Sequence, residues 1–124
     1  MKLYGALLSP FVRKVAVILA EKGIAYEMAR GGPGSTDAEF LACSPLGKIP
    51  AMDDDGFQLA DSTAIAVYLD AQYPEPRLIP EDARLRGKAV FWDEFADTVL
   101  AASGLKILFN RLVGPKLLKV GGDE

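Results

Sequence analysis

The clearest chemical signal in the sequence is the segment 44–50, Ser-Pro-Leu-Gly-Lys-Ile-Pro, in which two prolines and one glycine restrict the backbone. Gly47 permits a tight turn. A proline at the start of a strand cannot donate a ladder hydrogen bond, so Pro50 indicates an edge, a bulge or a cis peptide bond. A cis bond would turn the N–H and C=O of Ile49 outward, where a peptide-like ligand could pair with them. The alternative is an ordinary loop between a helix and a strand.

Two other polar stretches lie where helices are predicted to begin. Ser9-Pro10 follows the first predicted strand, and Asp61-Ser62 precedes an apolar helical stretch. Serine is a favoured N-cap, and proline fits the first helical turn. Because a helix N-terminus carries partial positive charge, both stretches could stabilise an anionic group. For Ser9 the alternative is a helix cap with no further role.

Composition excludes several classes of function. The net charge of −3 gives no electrostatic basis for binding nucleic acid or an anionic membrane. With no histidine and the single cysteine Cys43, a metal site is not expected. The chain cannot form an internal disulfide, which fits a reducing, cytoplasmic location. The N-terminus lacks the apolar core of a signal peptide, and no apolar run is long enough to span a membrane.

The elements that must position these residues follow an alternating order. Lengths, apolar spacing and turn residues predict the order β-α-β-α-β-β-α, an α/β unit of about 75 residues. Strands are expected at residues 2–6, 25–30, 49–52 and 57–60. Helices are expected from Ser9 to Gly23, from Thr36 or Asp37 to Cys43, and from Asp61 to a point before Pro74.

A proline-rich linker, residues 74–80, separates this unit from a predicted long helix. The helix begins at Glu81-Asp82 and extends to about residue 110. Its apolar stripe requires partner helices, from this protein or from another chain. Further apolar residues follow at 113–120, and the glycines and acids of 121–124 end the pattern. We therefore predict two domains, residues 1–76 and 77–124. The stripe at steps of three or four consists of Leu85, Ala89, Trp92, Phe95, Val99 and Ala102.

These three motifs together resemble those of the cytosolic glutathione transferases. Residues 9–15 resemble the first-helix motif of the serine-type, bacterial-like members. Segment 44–50 resembles the Asn-Pro-x-Gly-Lys-Val-Pro turn, with Ser44 in place of asparagine. Asp61-Ser62 resembles the acidic-residue–serine turn that holds the γ-glutamyl group. The resemblance covers the whole chain and implies a thioredoxin-like βαβαββα domain followed by a long helix that opens an all-α domain.

The resemblance also implies a role for each motif, with glutathione as co-substrate. The Ser9 hydroxyl would donate to the glutathione sulfur and favour its thiolate. The Ile49 backbone would pair with the cysteinyl backbone, and Pro50 would be cis and shape that contact. Ser62 would bind the γ-glutamyl carboxylate and Asp61 the α-ammonium group. Lys48 would bind the glycyl carboxylate; its alternative is a solvated surface lysine.

Three further residues have competing interpretations. Tyr4 could replace the serine, as in some members of the family, but with Ser9-Pro10 present we predict a core tyrosine. Cys43 could be a redox thiol, but we predict a buried structural one. Arg13 could assist an anionic ligand, but a first-turn helix arginine is more often solvated or paired.

The expected function is transfer of glutathione thiolate to a small hydrophobic electrophile. The alternatives are a non-catalytic stress or regulatory protein of the same family, and a glutathione-dependent isomerase or thiol reductase. A reductase would usually carry cysteine where this chain has Ser9. Family members have further helices, so we expect either a shortened sequence or a homodimer that covers the exposed stripe.

Overall fold

The computed structural model describes residues 1–118 of the 124-residue chain. The chain divides into two compact units, Met1–Pro80 and Glu81–Glu124. The domain division predicted at residues 76 and 77 stays a prediction. The first unit consists, in chain order, of β1 (Lys2–Tyr4), α1 (Pro10–Glu21), β2 (Glu27–Ala29), α2 (Ala38–Cys43), β3 (Ala51–Asp54), β4 (Phe57–Ala60) and α3 (Ser62–Gln72). This order confirms the predicted α/β arrangement.

The four strands form one mixed sheet in the order β2-β1-β3-β4. β1 and β2 are parallel, and α1 lies in the crossover connection that a parallel pair needs. β3 pairs antiparallel with both β1 and β4, and a tight turn at Asp55-Gly56 joins the hairpin. The end of β1, the start of β3 and the end of β4 therefore lie at one edge of the sheet.

The core occupies both faces of this sheet because neighbouring strand residues point to opposite sides. On one face, Leu3 and Met52 pack against α1 and α3. On the other face, Tyr4 and Ala51 pack against α2. The fully buried members of the first face are Leu3, Val12, Val15, Leu19, Met52, Ile65 and Leu69; the second cluster contains Tyr4, Phe40, Cys43 and Ala51.

Several predicted boundaries differ from the structure. The third strand was expected at residues 49–52, but β3 covers Ala51–Asp54. Pro50 has no N–H to donate to a ladder, so the strand begins after it. The first two strands are also shorter than predicted, covering Lys2–Tyr4 and Glu27–Ala29.

In the second unit, helical residues continue from residue 83 to residue 118. α4 (Ala83–Phe95) and α5 (Ala101–Leu108) are each followed by a π-helical segment, Ala96–Leu100 and Phe109–Leu118. The sequence analysis predicted the long helix but not its π-helical turns. The predictions for residues 119–124 lie outside the described residues.

The long helix begins as the sequence analysis expected, with an acidic residue at its positive end. Asp82 Oδ1 accepts the N–H groups of Arg84 and Leu85 at 3.1 and 3.0 Å. Much of the apolar stripe is exposed: Leu85, Trp92 and Val99 are 55%, 61% and 49% accessible, whereas Ala89 and Phe95 are half-buried. No helix among residues 1–118 has the length and apolar character needed to cross a bilayer.

Candidate functional site at one edge of the sheet

Ser9 is the N-cap of α1, as predicted. Its φ and ψ of −72° and 127° place it outside the helix, and its Oγ accepts the N–H of Val12 at 3.4 Å. A hydroxyl that accepts one hydrogen bond can still donate its own proton to another group. The side chain is half-buried. Ser9 can therefore cap α1 and donate to a ligand at the same time.

Segment 44–50 forms a closed turn between α2 and β3. Gly47, at φ +64°, donates its N–H to the carbonyl of Ser44 at 2.8 Å. The peptide bond between Ile49 and Pro50 is cis, as predicted. Pro50 is buried, Ile49 is half-buried and Lys48 is exposed. The turn thus places a cationic side chain at the surface beside the buried start of β3.

Asp61 and Ser62 form the start of α3. The backbone of Asp61 has φ +81°, and its Oδ1 accepts the N–H groups of Thr63 and Ala64, each at 3.0 Å. Ser62 is the first residue of α3 and is 3% exposed. Lys14 of α1 donates to Thr63 Oγ1 at 3.1 Å, which connects α1 with the first turn of α3.

Two contacts bring the three motifs to the same edge of the sheet. The N–H of Asp61 donates to the carbonyl of Pro50 at 3.3 Å, which continues the β3–β4 ladder past the strand ends. Gly5, between β1 and Ser9, packs so closely that a Cβ placed there would lie 2.6 Å from Val12 Cγ2 and 3.3 Å from Ile49 Cβ. The end of β1, the first turn of α1 and the turn before β3 therefore converge at Gly5.

We call this region the edge site. It consists of the residues predicted from the three motifs: Ser9, Lys48, Ile49, Pro50, Asp61 and Ser62. Two helix N-termini, two serines, one exposed lysine and one exposed carboxylate give it groups for both anions and an ammonium ion. Such a set suits a small zwitterionic, peptide-like molecule. The role of each residue stays a prediction.

Sequence reasoning missed two residues that shape the edge site. Ser44 was noted only as a departure from the family motif, although its hydroxyl contacts Lys48 twice. Gly5 was not singled out, although its φ of +143° is a backbone conformation that any residue other than glycine would adopt only at an energetic cost. The substitution of serine in the motif was a usable signal for Ser44. A single glycine after a strand gave no comparable signal for Gly5.

Tyr4 and Cys43 are core residues, as predicted. They are 4% and 3% exposed, and the Tyr4 ring centroid lies 5.9 Å from that of Phe40. Burial raises the pKa of the Cys43 thiol, with a further contribution from the charge of Asp53. A thiol of this kind stays protonated at neutral pH, which disfavours a redox role. The Arg13 side chain is exposed.

A concave surface lies on the α2 side of the sheet, and it does not include the edge site. This groove has a volume of about 640 Å³. Lys2 and Glu39 form an ion pair across it at 3.3 Å. Its lining residues, none of which belongs to the edge site, are Met1, Lys2, Tyr4, Ala38, Glu39, Ala42, Asp53, Asp55 and Gln58. Within residues 1–118, no group of three or more Cys, Asp or Glu side chains is arranged to hold a metal ion.

Comparisons with known proteins agree with this fold. Residues 3–77 match the family described as glutathione S-transferase, N-terminal domain. A glutathione S-transferase of Triticum aestivum is 39% identical over 85 residues, which are 68% of this chain and 39% of that protein. A stringent starvation protein A homolog of Haemophilus ducreyi is 37% identical over 79 residues, 64% of this chain and 37% of that protein.

A solved structure has the same architecture. The glutathione S-transferase of Rhodospirillum rubrum superposes with a TM-score of 0.85 at 31% identity, covering 98% of this chain and 56% of that one. The chain belongs to the glutathione S-transferase family, and its fold is a thioredoxin-like α/β domain followed by a long helix. It spans well under two thirds of the length of these relatives.

Proposed function

We propose that the edge site binds glutathione and that the chain promotes transfer of the glutathione thiolate to a small hydrophobic electrophile. The observation that carries the proposal is the 3.3 Å hydrogen bond from the Asp61 N–H to the Pro50 carbonyl. It joins the turn that would bind the cysteinyl and glycyl parts of glutathione to the helix start that would bind the γ-glutamyl part. Membership of the glutathione S-transferase family supports the same ligand.

Each part of glutathione has a matching group in the edge site. The backbone of Ile49 pairs with the cysteinyl backbone, so its side chain can vary. Lys48 binds the glycyl carboxylate. Ser62, at the positive end of α3, binds the γ-glutamyl carboxylate. Because Asp61 Oδ1 already caps α3, we assign the contact with the α-ammonium group to Oδ2.

The chemistry then depends on Ser9. A free thiol has a pKa of about 8.5, so little thiolate is present at neutral pH. Donation from the Ser9 hydroxyl stabilises the thiolate, and the thiol proton passes to solvent. The sulfur forms a bond to the electrophilic carbon, and a leaving group such as chloride departs with its electron pair. Ser9 is not the nucleophile in this reaction.

Conjugation of glutathione to a chlorodinitrobenzene electrophile tests the catalytic part of the proposal. We expect Ser9→Ala to lower the rate by on the order of a hundredfold, as for loss of one donor to a developing anion. Ser35→Ala is the matched control, because the Ser35 hydroxyl lies outside the edge site and accepts the N–H of the exposed Asp37 at 3.2 Å. Equal rates for the parent and Ser9→Ala would contradict the role of Ser9.

A second candidate function is a glutathione-binding regulatory protein without turnover. The similarity to a stringent starvation protein A homolog favours it, since that protein is named for a starvation response. The two functions differ in one observable. A regulatory member would bind glutathione and show no conjugation above the rate without protein, whereas an enzyme would do both.

We also propose a homodimer as the working form in a reducing cytoplasm. The exposed stripe of α4 and the following turn, including Trp92 and Val99, offers apolar area for a second copy. Sedimentation equilibrium would show a concentration-dependent dimer that Trp92→Glu weakens. A monomer at every concentration would contradict the proposal.

A further inference from the structure

Ser44 is a buried hydroxyl placed at the base of the turn that carries Lys48. Only 1% of the residue is exposed. Its Oγ donates to the carbonyl of Lys48 at 2.7 Å and accepts the N–H of Lys48 at 3.0 Å. The Ser44 carbonyl also accepts the N–H of Gly47 at 2.8 Å. One residue therefore satisfies both backbone polar groups of Lys48 and closes the turn.

The backbone and the side chain of Lys48 lie in different environments. The backbone is fixed by a buried partner, while the side chain is exposed. On the far side, Pro50 is buried and its carbonyl accepts the Asp61 N–H. Hydrogen bonds on both sides, at Lys48 and at Pro50, thus restrain the peptide between Lys48 and Ile49. Because an ordered backbone lowers the entropy lost when a long side chain binds a ligand, this restraint favours binding through Lys48.

We propose that Ser44 is a positioning residue for the glycyl end of glutathione, acting through Lys48 without touching the ligand. The inference rests on the proposed function, since it presupposes glutathione in the edge site. Removing the hydroxyl leaves two backbone groups of Lys48 without their partner and lets the turn change its shape. The loss should appear only for ligands that carry the glycyl carboxylate.

Ligand truncation provides the test. Calorimetric titrations would compare glutathione with γ-glutamylcysteine, which lacks glycine, for the parent chain and for Ser44→Ala. We expect Ser44→Ala to weaken glutathione binding about tenfold and to change γ-glutamylcysteine binding less than twofold. In a Lys48→Ala background, Ser44→Ala should have little further effect, because both changes remove the same contact. Ser35→Ala is the control for loss of a hydroxyl elsewhere in the domain.

Two further variants make the result decisive. Ser44→Asn offers both a donor and an acceptor and should restore most of the glutathione affinity. Ser44→Cys has the shape of serine but is a weaker donor. It should therefore lose glutathione affinity selectively, though less than Ser44→Ala, and it provides the test if Ser44→Ala fails to fold.

The outcomes separate the two proposals. If Ser44→Ala and Ser44→Cys weaken both ligands equally, or neither ligand, the positioning role is wrong while glutathione binding by the parent stands. If the folded parent binds neither ligand, the proposed function fails, and the role of Ser44 fails with it.

Discussion

The Nζ of Lys22 lies 2.8 Å from Oδ1 of Asp70, and the two side chains are 0% and 4% exposed. Lys22 also donates to the carbonyls of Tyr73 and Pro76 at 2.7 and 2.8 Å. Asp70 accepts the backbone N–H groups at residues 78 and 79 at 2.8 and 3.0 Å. This buried pair thus joins the ends of α1 and α3 to the proline-rich linker.

Removing one member of the pair should be strongly destabilising. Lys22→Met leaves a buried carboxylate without its cation, and we expect a loss of about 3–5 kcal/mol in the free energy of unfolding. Hydrogen exchange at Leu78 and Ile79 should also become faster. Lys2→Met is the control, because the Lys2–Glu39 pair is exposed and should matter little. Equal stability of Lys22→Met and the parent in denaturant titrations would contradict this account.

The same carboxylate makes stability depend on acidity. Burial alone would raise the pKa of Asp70, but hydrogen bonds from Lys22 and from the Leu78 and Ile79 amides outweigh it and hold that pKa below its usual 3.8. The unfolded chain therefore takes up this proton first. The stabilisation is complete above the ordinary carboxyl pKa and is lost as the pH falls through the lower, folded value.

Unfolding measured between neutral pH and strong acid checks this sign. The difference in stability between the parent and Asp70→Asn should be largest near neutral pH and shrink below about pH 4. The pH dependence of Asp53→Asn serves as a comparison with that of Asp70→Asn. The pKa of Asp53 is also lowered, by hydrogen bonds from the Gly56 N–H and from Gln58, but Asp53 lies in a more exposed hairpin. A difference that grows in acid would show that Asp70 is not the stabilising anion.

The stability of the folded chain should also depend on alkaline pH, because two tyrosines contact Asp54. Tyr68 and Tyr73 each donate to Asp54 Oδ2 at 2.9 Å. Burial, followed by the hydrogen bond and the charge of Asp54, raises the pKa of Tyr68 to about 12. This stabilisation is complete below the unfolded tyrosine pKa near 10 and is lost as the pH rises towards 12.

Ultraviolet titration of tyrosinate can detect this group. The parent should show a step near pH 12 that Tyr68→Phe removes. Tyr26→Phe, a change outside the Asp54 cluster, should leave that step in place. Ionisation of Tyr68 near pH 10 in the folded protein would contradict both its burial and its hydrogen bond to Asp54.

Gly5 should be among the least replaceable glycines of the first unit. Gly5→Ala would combine a φ of +143° with a Cβ only 2.6 Å from Val12 Cγ2. We expect a loss of at least about 1–3 kcal/mol from the backbone conformation alone. Gly32→Ala is the matched control, because nothing lies within 4 Å of a Cβ at that position. Thermal unfolding that ranks Gly32→Ala below Gly5→Ala would contradict this packing.

Local signals in the sequence predicted the features that depend on neighbouring residues. Ser9 caps α1 as predicted, and Asp37, Asp61 and Asp82 cap helices that were predicted to begin at or beside them, because an N-cap bonds to amides only two or three residues away. The order of strands and helices followed from the same kind of signal. The family resemblance then supplied the residues predicted for the edge site, and their roles stay predictions.

Features that depend on distant residues were missed. Lys22 and Asp70 are 48 residues apart, and nothing in either local pattern indicates that they pair. The packing of Gly5 against Ile49 likewise requires the folded sheet. β3 begins two residues later than predicted, because the apolar run starts at Ile49 whereas Pro50, which has no N–H, cannot donate to the ladder.

Calorimetric titration of glutathione into the folded chain tests the central claim most directly, with Ser62→Ala and Ser9→Ala in parallel. The account predicts that the parent binds, that Ser62→Ala loses binding, and that Ser9→Ala retains binding while the pKa of the bound thiol rises. No binding by a folded parent at millimolar glutathione would contradict the assignment of the edge site.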